Sequence, residues 1–214
     1  MAHAAVAPRI PLAGSTAKVE VKAQHVDRRF IDLMISWSGA VIALVLVTIG
    51  AAAIYGGSFA LSNVRDRLAP QNITFPPAEA MSDFDKAEGL TPFAGQKVDI
   101  GTEAEAFSRY IGGHLVDVNE GATYSETSSE SRAYADEVGE DPTAAESATM
   151  AELSGKIDTL FKGETLRGML LNAYGWWTVG QITMWAGIGV AIAGLFLAMF
   201  VGLGFLHARN ERRS

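Results

Sequence analysis

The chain has 214 residues, 49% of them hydrophobic, with no cysteine and a net charge of −7 from 24 acidic and 17 basic side chains. The missing thiols exclude structural disulfides, thiolate zinc sites, cysteine-ligated iron–sulfur clusters, CxxCH haem attachment and a cysteine-based dinuclear copper centre. Two stretches carry no formal charge: Leu33 to Val64, and Gly168 to Ala208 with His207 set aside. Each exceeds the roughly 20 apolar residues that cross about 30 Å of hydrocarbon. A mainly α membrane protein is expected, with two transmembrane helices and an intervening extracytoplasmic segment, partly helical and partly irregular. After the two spans, the remaining length allows one small exposed domain.

The N-terminal region, residues 1–32, reads as a cytoplasmic arm. Met1 to Gly14 is rich in Ala and Pro without helical or strand period, which suits a flexible or strap-like segment. Lys18 to Lys22 alternates as a short strand would. Arg28 and Arg29 sit where anionic headgroups attract basic side chains. The head before the first apolar run is too long, and the run itself too long, for a cleaved signal peptide. Basic residues flank both runs, Arg9, Lys18, Lys22, Arg28 and Arg29 before the first, Arg209, Arg212 and Arg213 after the second. This bias places both termini in the cytoplasm. Val64 to Arg167 holds 20 acidic against 9 basic residues, a net −11, and is expected outside.

The first transmembrane helix is expected over 33–57, with Trp37 and Tyr55 near its ends, where amphipathic rings prefer the interface. Ala52 with Gly56, and Ala53 with Gly57, are small-xxx-small pairs that let another helix approach closely. The acidic segment then runs over 58–175. Pro70, Pro76 and Pro77 make Arg65 to Pro77 an extended linker. Thr102 and Glu105 fit a capping box for a helix whose face carries Ala104, Phe107, Ile111 and Leu115, weakened at its end by Gly112 and Gly113. Asp117 to Asp141 has eight acidic residues, one basic and a Ser-rich centre, the least foldable composition in the chain. Asp141-Pro142 is expected to start a helix ending near Gly155, and Ile157 to Leu166 a third, amphipathic one.

The second transmembrane helix is expected over 176–206. One helix from Gly168 to Ala208 would measure about 60 Å, so it begins outside and meets the bilayer near Trp176 and Trp177. Gly187 with Ala191, Gly189 with Ala193, and Gly194 with Ala198 repeat the close-packing spacing. A basic tail, 207–214, ends the chain.

A catalytic constellation is hard to assemble. The four histidines are His3, His25, His114 and His207, and only His114 lies in the outer segment. Asp117-Val118-Asn119-Glu120-Gly121 hints at a calcium loop but fails the pattern, with Gly121 fifth and Ser128 in twelfth place. Asn72-Ile73-Thr74 matches a glycosylation acceptor. The acidic charge argues against nucleic acid. Neither span has an ionisable group at its centre, where pumps and transporters place one. No catalytic, metal or cofactor residues are therefore assigned, and the chain is expected not to be an enzyme. A membrane-bound enzyme using His114 and a free-standing cell-envelope scaffold or sensor are the competing readings.

Several short motifs, in order, resemble a family of small two-span actinobacterial membrane proteins. They are Asn72 to Pro77, Phe93 to Gln96 with Val98, the helix Ala104 to His114, Gly121 to Glu126, and Thr165 to Leu170 before the last span. Family members often have Ala at the place of Ser125 and often lack so long an arm. Proteins similar to this one occur as accessory subunits of the respiratory supercomplex that joins cytochrome bcc to an aa-type cytochrome c oxidase. The resemblance implies a non-catalytic subunit of the bacterial plasma membrane. Its partners would be larger integral membrane subunits, those of cytochrome bcc and cytochrome c oxidase, together with phospholipid.

Overall fold

A computed structural model describes residues 28–210. The arm before Arg28 and the last four residues of the tail lie outside the described residues, and with them the Lys18 to Lys22 strand expectation. Among the described residues five α-helices follow in order: α1 (Arg28–Leu68), α2 (Asp83–Ala87), α3 (Gly101–Val118), α4 (Tyr124–Val138) and α5 (Ala144–Asn210). Three short 3-10 turns, Ala69–Gln71, Ala78–Ala80 and Thr91–Phe93, punctuate the stretch between α1 and α3. Among the described residues no strand forms, and the one extended pairing is an isolated antiparallel bridge between Thr74 and Lys97.

Both α1 and α5 contain stretches long and apolar enough to cross a membrane. At 41 residues α1 measures about 61 Å, and at 67 residues α5 about 100 Å. Each is far longer than a bilayer crossing, so each also carries a polar lobe at one end. α1 runs on through Arg65 to Leu68, where an extended linker was expected. Helix persists there because Val64 and Leu68 are buried in the lobe core, and Pro70 sits in the first turn of the next element, where its missing N–H costs nothing.

The lobe core gathers Val64 and Leu68 of α1, Phe75, Met81, Leu90 and Val98 of the connecting segment, Ala104 and Ala106 of α3, and Leu170 and Trp177 of α5. Phe75, 2% exposed, is its centre. Its ring stacks on Phe93 at 5.4 Å and meets Phe107 edge-on at 5.0 Å. Backbone bonds from Phe75 to Gln96 and from Val98 to Ile73, both 2.9 Å, hold the segment around that ring.

The predicted face of α3 is present, with Ala104 and Leu115 buried and Phe107 and Ile111 half-buried. Its cap differs. The helix starts at Gly101, Thr102 lies inside it, and the carboxylate of Glu103 accepts from the amides of Asp99 (2.7 Å) and Ile100 (3.1 Å). Gly112 and Gly113 do not end the helix. Gly113 lets the Phe84 ring approach so closely that a Cβ there would lie 2.4 Å from it.

Asp117 to Asp141, poor in core-forming residues, nonetheless contains α4. Thr123 and Glu126 form a reciprocal cap, with Glu126 accepting from the Thr123 amide at 2.8 Å and hydroxyl at 2.7 Å. Thr127 is fully buried, and the Asn119 side-chain amide donates to its hydroxyl. Of the weak calcium-loop match Asp117 to Gly121, Asp117 and Val118 end α3 and Asn119 to Gly121 form the turn into α4, with Glu120 and Gly121 at positive φ (50° and 86°).

α5 replaces three expected helices by one. Pro142 precedes it, and Thr143 caps it with Glu146 in the same reciprocal geometry as α4. Gly155 and Gly168 do not interrupt it. A glycine in a helix interior costs about 1 kcal/mol, too little to break a helix held along its length by α3 and α4 and, further on, by α1. Leu153, Leu160, Leu170 and Trp177, all buried, mark those contacts along α5.

Candidate helix-packing interface

The charge-free parts of α1 and α5 form an antiparallel pair whose seam is built on small residues. A Cβ at Gly57 would lie 2.6 Å from the Met184 amide nitrogen, and one at Gly50 2.6 Å from the Ala191 nitrogen. One at Gly187 would lie 2.8 Å from the Gly50 carbonyl oxygen and 2.9 Å from the Ala53 methyl group, and one at Gly194 2.9 Å from Val47. Gly180 faces Ala60 and the Gly57 carbonyl. In hydrocarbon, where apolar burial gives no drive, such backbone approach is what holds two helices together. The Ser58 hydroxyl adds a 3.8 Å contact to the Met184 sulfur.

The predicted pairs therefore divide. Ala53 with Gly57, and Gly187 with Ala191, face the chain's own partner helix, as does Gly194. Ala52 and Gly56 are exposed, one position earlier and so turned by about 100° from the seam. Gly189 and Ala193 are exposed on α5, and no other atoms surround a Cβ built at Gly56 or Gly189. Ala198 is exposed and, with Ala43, Val47, Val201 and Phe205, lines a shallow apolar groove of about 410 Å³. The sequence reading missed Gly50 and Gly180 as seam residues. Gly50 shares the face of Ala53 and Gly57, and its spacing of three and seven from them was the available signal.

The aromatic residues mark levels along the pair. Trp37, 64% exposed, meets the Phe205 ring edge-on at 5.8 Å. Tyr55 is 76% exposed, and Trp185, opposite it in the seam register, is 63% exposed. Trp176 is also exposed. Trp177 differs. It packs in the lobe core, where a Cβ at Gly101 would lie 2.2 Å from its own Cβ and where the Arg65 guanidinium sits 6.0 Å from its ring.

The lobe is fastened to α5 by polar contacts as well. Arg167 donates to the Ser108 carbonyl (3.2 Å) and to Glu164 (2.7 Å). Arg109 bridges Glu105 at 3.0 Å and donates to the Glu88 carbonyl. Burial, and then the charge of Asp85, raise the Tyr110 hydroxyl above its ordinary range. Lys156 is raised chiefly by its hydrogen bond and charge contact with Glu152 and then by Glu120 and Glu130.

His114 lies on α3, exposed, with Nδ1 3.0 Å from the Tyr110 carbonyl and its ring 4.4 Å from the Tyr110 ring. Among the described residues no group of three His, Asp or Glu side chains converges as a metal site would require. No protein-family model matches this chain, and no curated protein or solved structure matches it at a significant level.

Proposed function

We propose that this chain is a non-catalytic accessory subunit of a respiratory membrane supercomplex in which cytochrome bcc is joined to an aa-type cytochrome c oxidase. In this reading α1 and α5 cross the bacterial plasma membrane, both termini are cytoplasmic, and the acidic lobe covers part of an extracytoplasmic surface. The observation that carries the subunit role is the division of the small-residue ridges. One set of small residues closes the α1–α5 seam, while two further pairs, Ala52 with Gly56 on α1 and Gly189 with Ala193 on α5, are left open at the spacing that suits a neighbouring helix. The continuous α5 adds a stiff link that fixes the lobe relative to the spans. The respiratory assignment rests on the family resemblance of the motifs from Asn72 to Leu170.

Mild-detergent purification through a tag on this chain tests the reading. The expected result is migration on a native gel with a haem-containing band, and a deletion strain whose complex separates into its two enzymes with haem and copper retained. A tagged protein that runs alone favours a free-standing envelope scaffold or sensor. Loss of haem or copper on deletion would overturn a purely structural role.

A further inference from the structure

At the end of the helix pair that carries Arg209, α1 and α5 leave between them a groove of about 410 Å³, and all of the residues that line it are apolar. Ala43, 2% exposed, forms its floor, and Leu44, Val47, Gly202 and Phe205 lie around it. It opens at Phe205, one position inside the end of the span expected over 176–206, where the ring meets Trp37. It ends at Val47, just past the middle of the span expected over 33–57, where a Cβ at Gly194 would lie 2.9 Å from that side chain. From the Trp37 level to Val47 is ten positions, about 15 Å along the helix. That is half of the roughly 30 Å of hydrocarbon, the depth of a single leaflet.

Depth and width select the occupant. A crossing helix of another protein would run the full thickness, and about 15 Å of helix some 10 Å across fills roughly 1,200 Å³, about three times the groove. A hydrocarbon chain is narrow enough and ends with its leaflet. A furrow left empty in the bilayer would lose van der Waals contact along its walls, so a chain of the surrounding lipid enters it. Charge at the open end selects the headgroup. Arg209 follows Phe205 by four positions, on the same face one turn further out, and is exposed. Residues 28–32 and 209–214 hold five arginines against Asp32 and Glu211. A guanidinium there meets a phosphate with two parallel hydrogen bonds. Trp37, 64% exposed, brings an indole N–H to the level where the chain joins its headgroup.

We propose that this groove holds one acyl chain of an anionic phospholipid, from the leaflet at the Arg209 end, with the lipid phosphate on Arg209. The inference rests on the reading that α1 and α5 cross a bilayer and is independent of the respiratory assignment. A zwitterionic lipid fits less well, because its ammonium group adds positive charge to an end that is already basic.

The full chain, reconstituted in vesicles of phosphatidylcholine with a minor share of phosphatidylglycerol and released in mild detergent for native mass spectrometry, tests this. The expected spectrum shows one phosphatidylglycerol per chain, retained at least tenfold above its share of the vesicle lipid. A Cβ at Gly202 has no surrounding atoms within 4 Å, so Gly202→Phe fills the groove and leaves the seam alone. It should cut retention at least tenfold, with the circular dichroism of the parent. Arg209→Gln should abolish the preference for phosphatidylglycerol. Ile49→Phe, at an exposed position on the opposite side of α1 from the groove, should leave retention unchanged. Retention of both lipids in the vesicle ratio overturns the inference, as does full retention with Gly202→Phe. In native membranes a photo-crosslinking residue at Ala198 should label phospholipid, and adducts to protein alone also overturn it. A chain that floats with the vesicles yet keeps no phosphatidylglycerol leaves the membrane reading standing and removes this site. A chain that does not float removes both.

Discussion

Residues of one type do different work along this chain, and glycine shows it most clearly. Gly187 and Gly189 are two positions apart in an identical solvent of small and branched apolar residues. A side chain at Gly187 would strike the Gly50 carbonyl, whereas one at Gly189 meets open space. Gly187→Leu should therefore weaken the helix pair by about 1–3 kcal/mol, as overpacking does, and Gly189→Leu should not. Disulfide yield between cysteines placed at Ser58 and Met184 measures the difference. The capping carboxylates make a second residue-scale prediction. Glu126 is held below its ordinary value of 4.5 first by the Thr123 amide and then by its hydroxyl, and Glu146 first by the Thr143 hydroxyl and then by its amide. A depressed folded-state pKa contributes stability above the unfolded value and loses it as pH falls through the folded value. The first turns of α4 and α5 should thus fray as pH drops below about 4.5, seen as a loss of protection, relative to the intrinsic exchange rate at each pH, of the Glu126 and Glu146 amides. Thr123→Ala should flatten that profile for α4 alone.

At the scale of elements, α5 is the unexpected feature. Its composition changes twice, from acidic to amphipathic to wholly apolar, and each change resembled a boundary in the sequence. A helix tolerates such changes when neighbours hold successive parts of it, here α4, then α3, then α1. Gly155 lies in that helix, exposed and with open space around it. Gly155→Ala should stabilise the α4–α5 arm by about 0.5–1 kcal/mol, read as a higher midpoint in thermal denaturation. The α3 face was legible because Ala104, Phe107, Ile111 and Leu115 recur at helical spacing. Its cap was misread because two acceptable boxes overlap there, Thr102 with Glu105 and the reach of Glu103 back to Asp99. Helix α4 was missed because its burial is confined to Thr127 and a few half-buried side chains, too little apolar pattern to outweigh its charge.

For the whole molecule, the question is what couples the lobe to the two long helices. Trp177 is the main link, buried among α1, α3 and α5 and pressed against Gly101. Trp177→Ala should cost about 3–5 kcal/mol, the usual range for a buried tryptophan. It should also expose the segment between Asn72 and Ile100 to limited proteolysis, while the α1–α5 seam, made of Gly50, Gly57, Gly187 and Gly194, remains intact to disulfide mapping.

Sequence alone determined the two membrane-length runs, the acidic character of the segment between them and the helical spacing of the small residues. These follow from transfer free energies and from the fixed 3.6-residue turn, which each stretch carries by itself. Only the tertiary structure decided which small-residue ridge meets the partner helix, that Trp177 belongs to a core while Trp176 does not, and that Ala144 to Asn210 is one helix. Rotation about a helix axis leaves its periodicity unchanged, so a face gains its role from the neighbour set against it, and that neighbour is distant in the sequence.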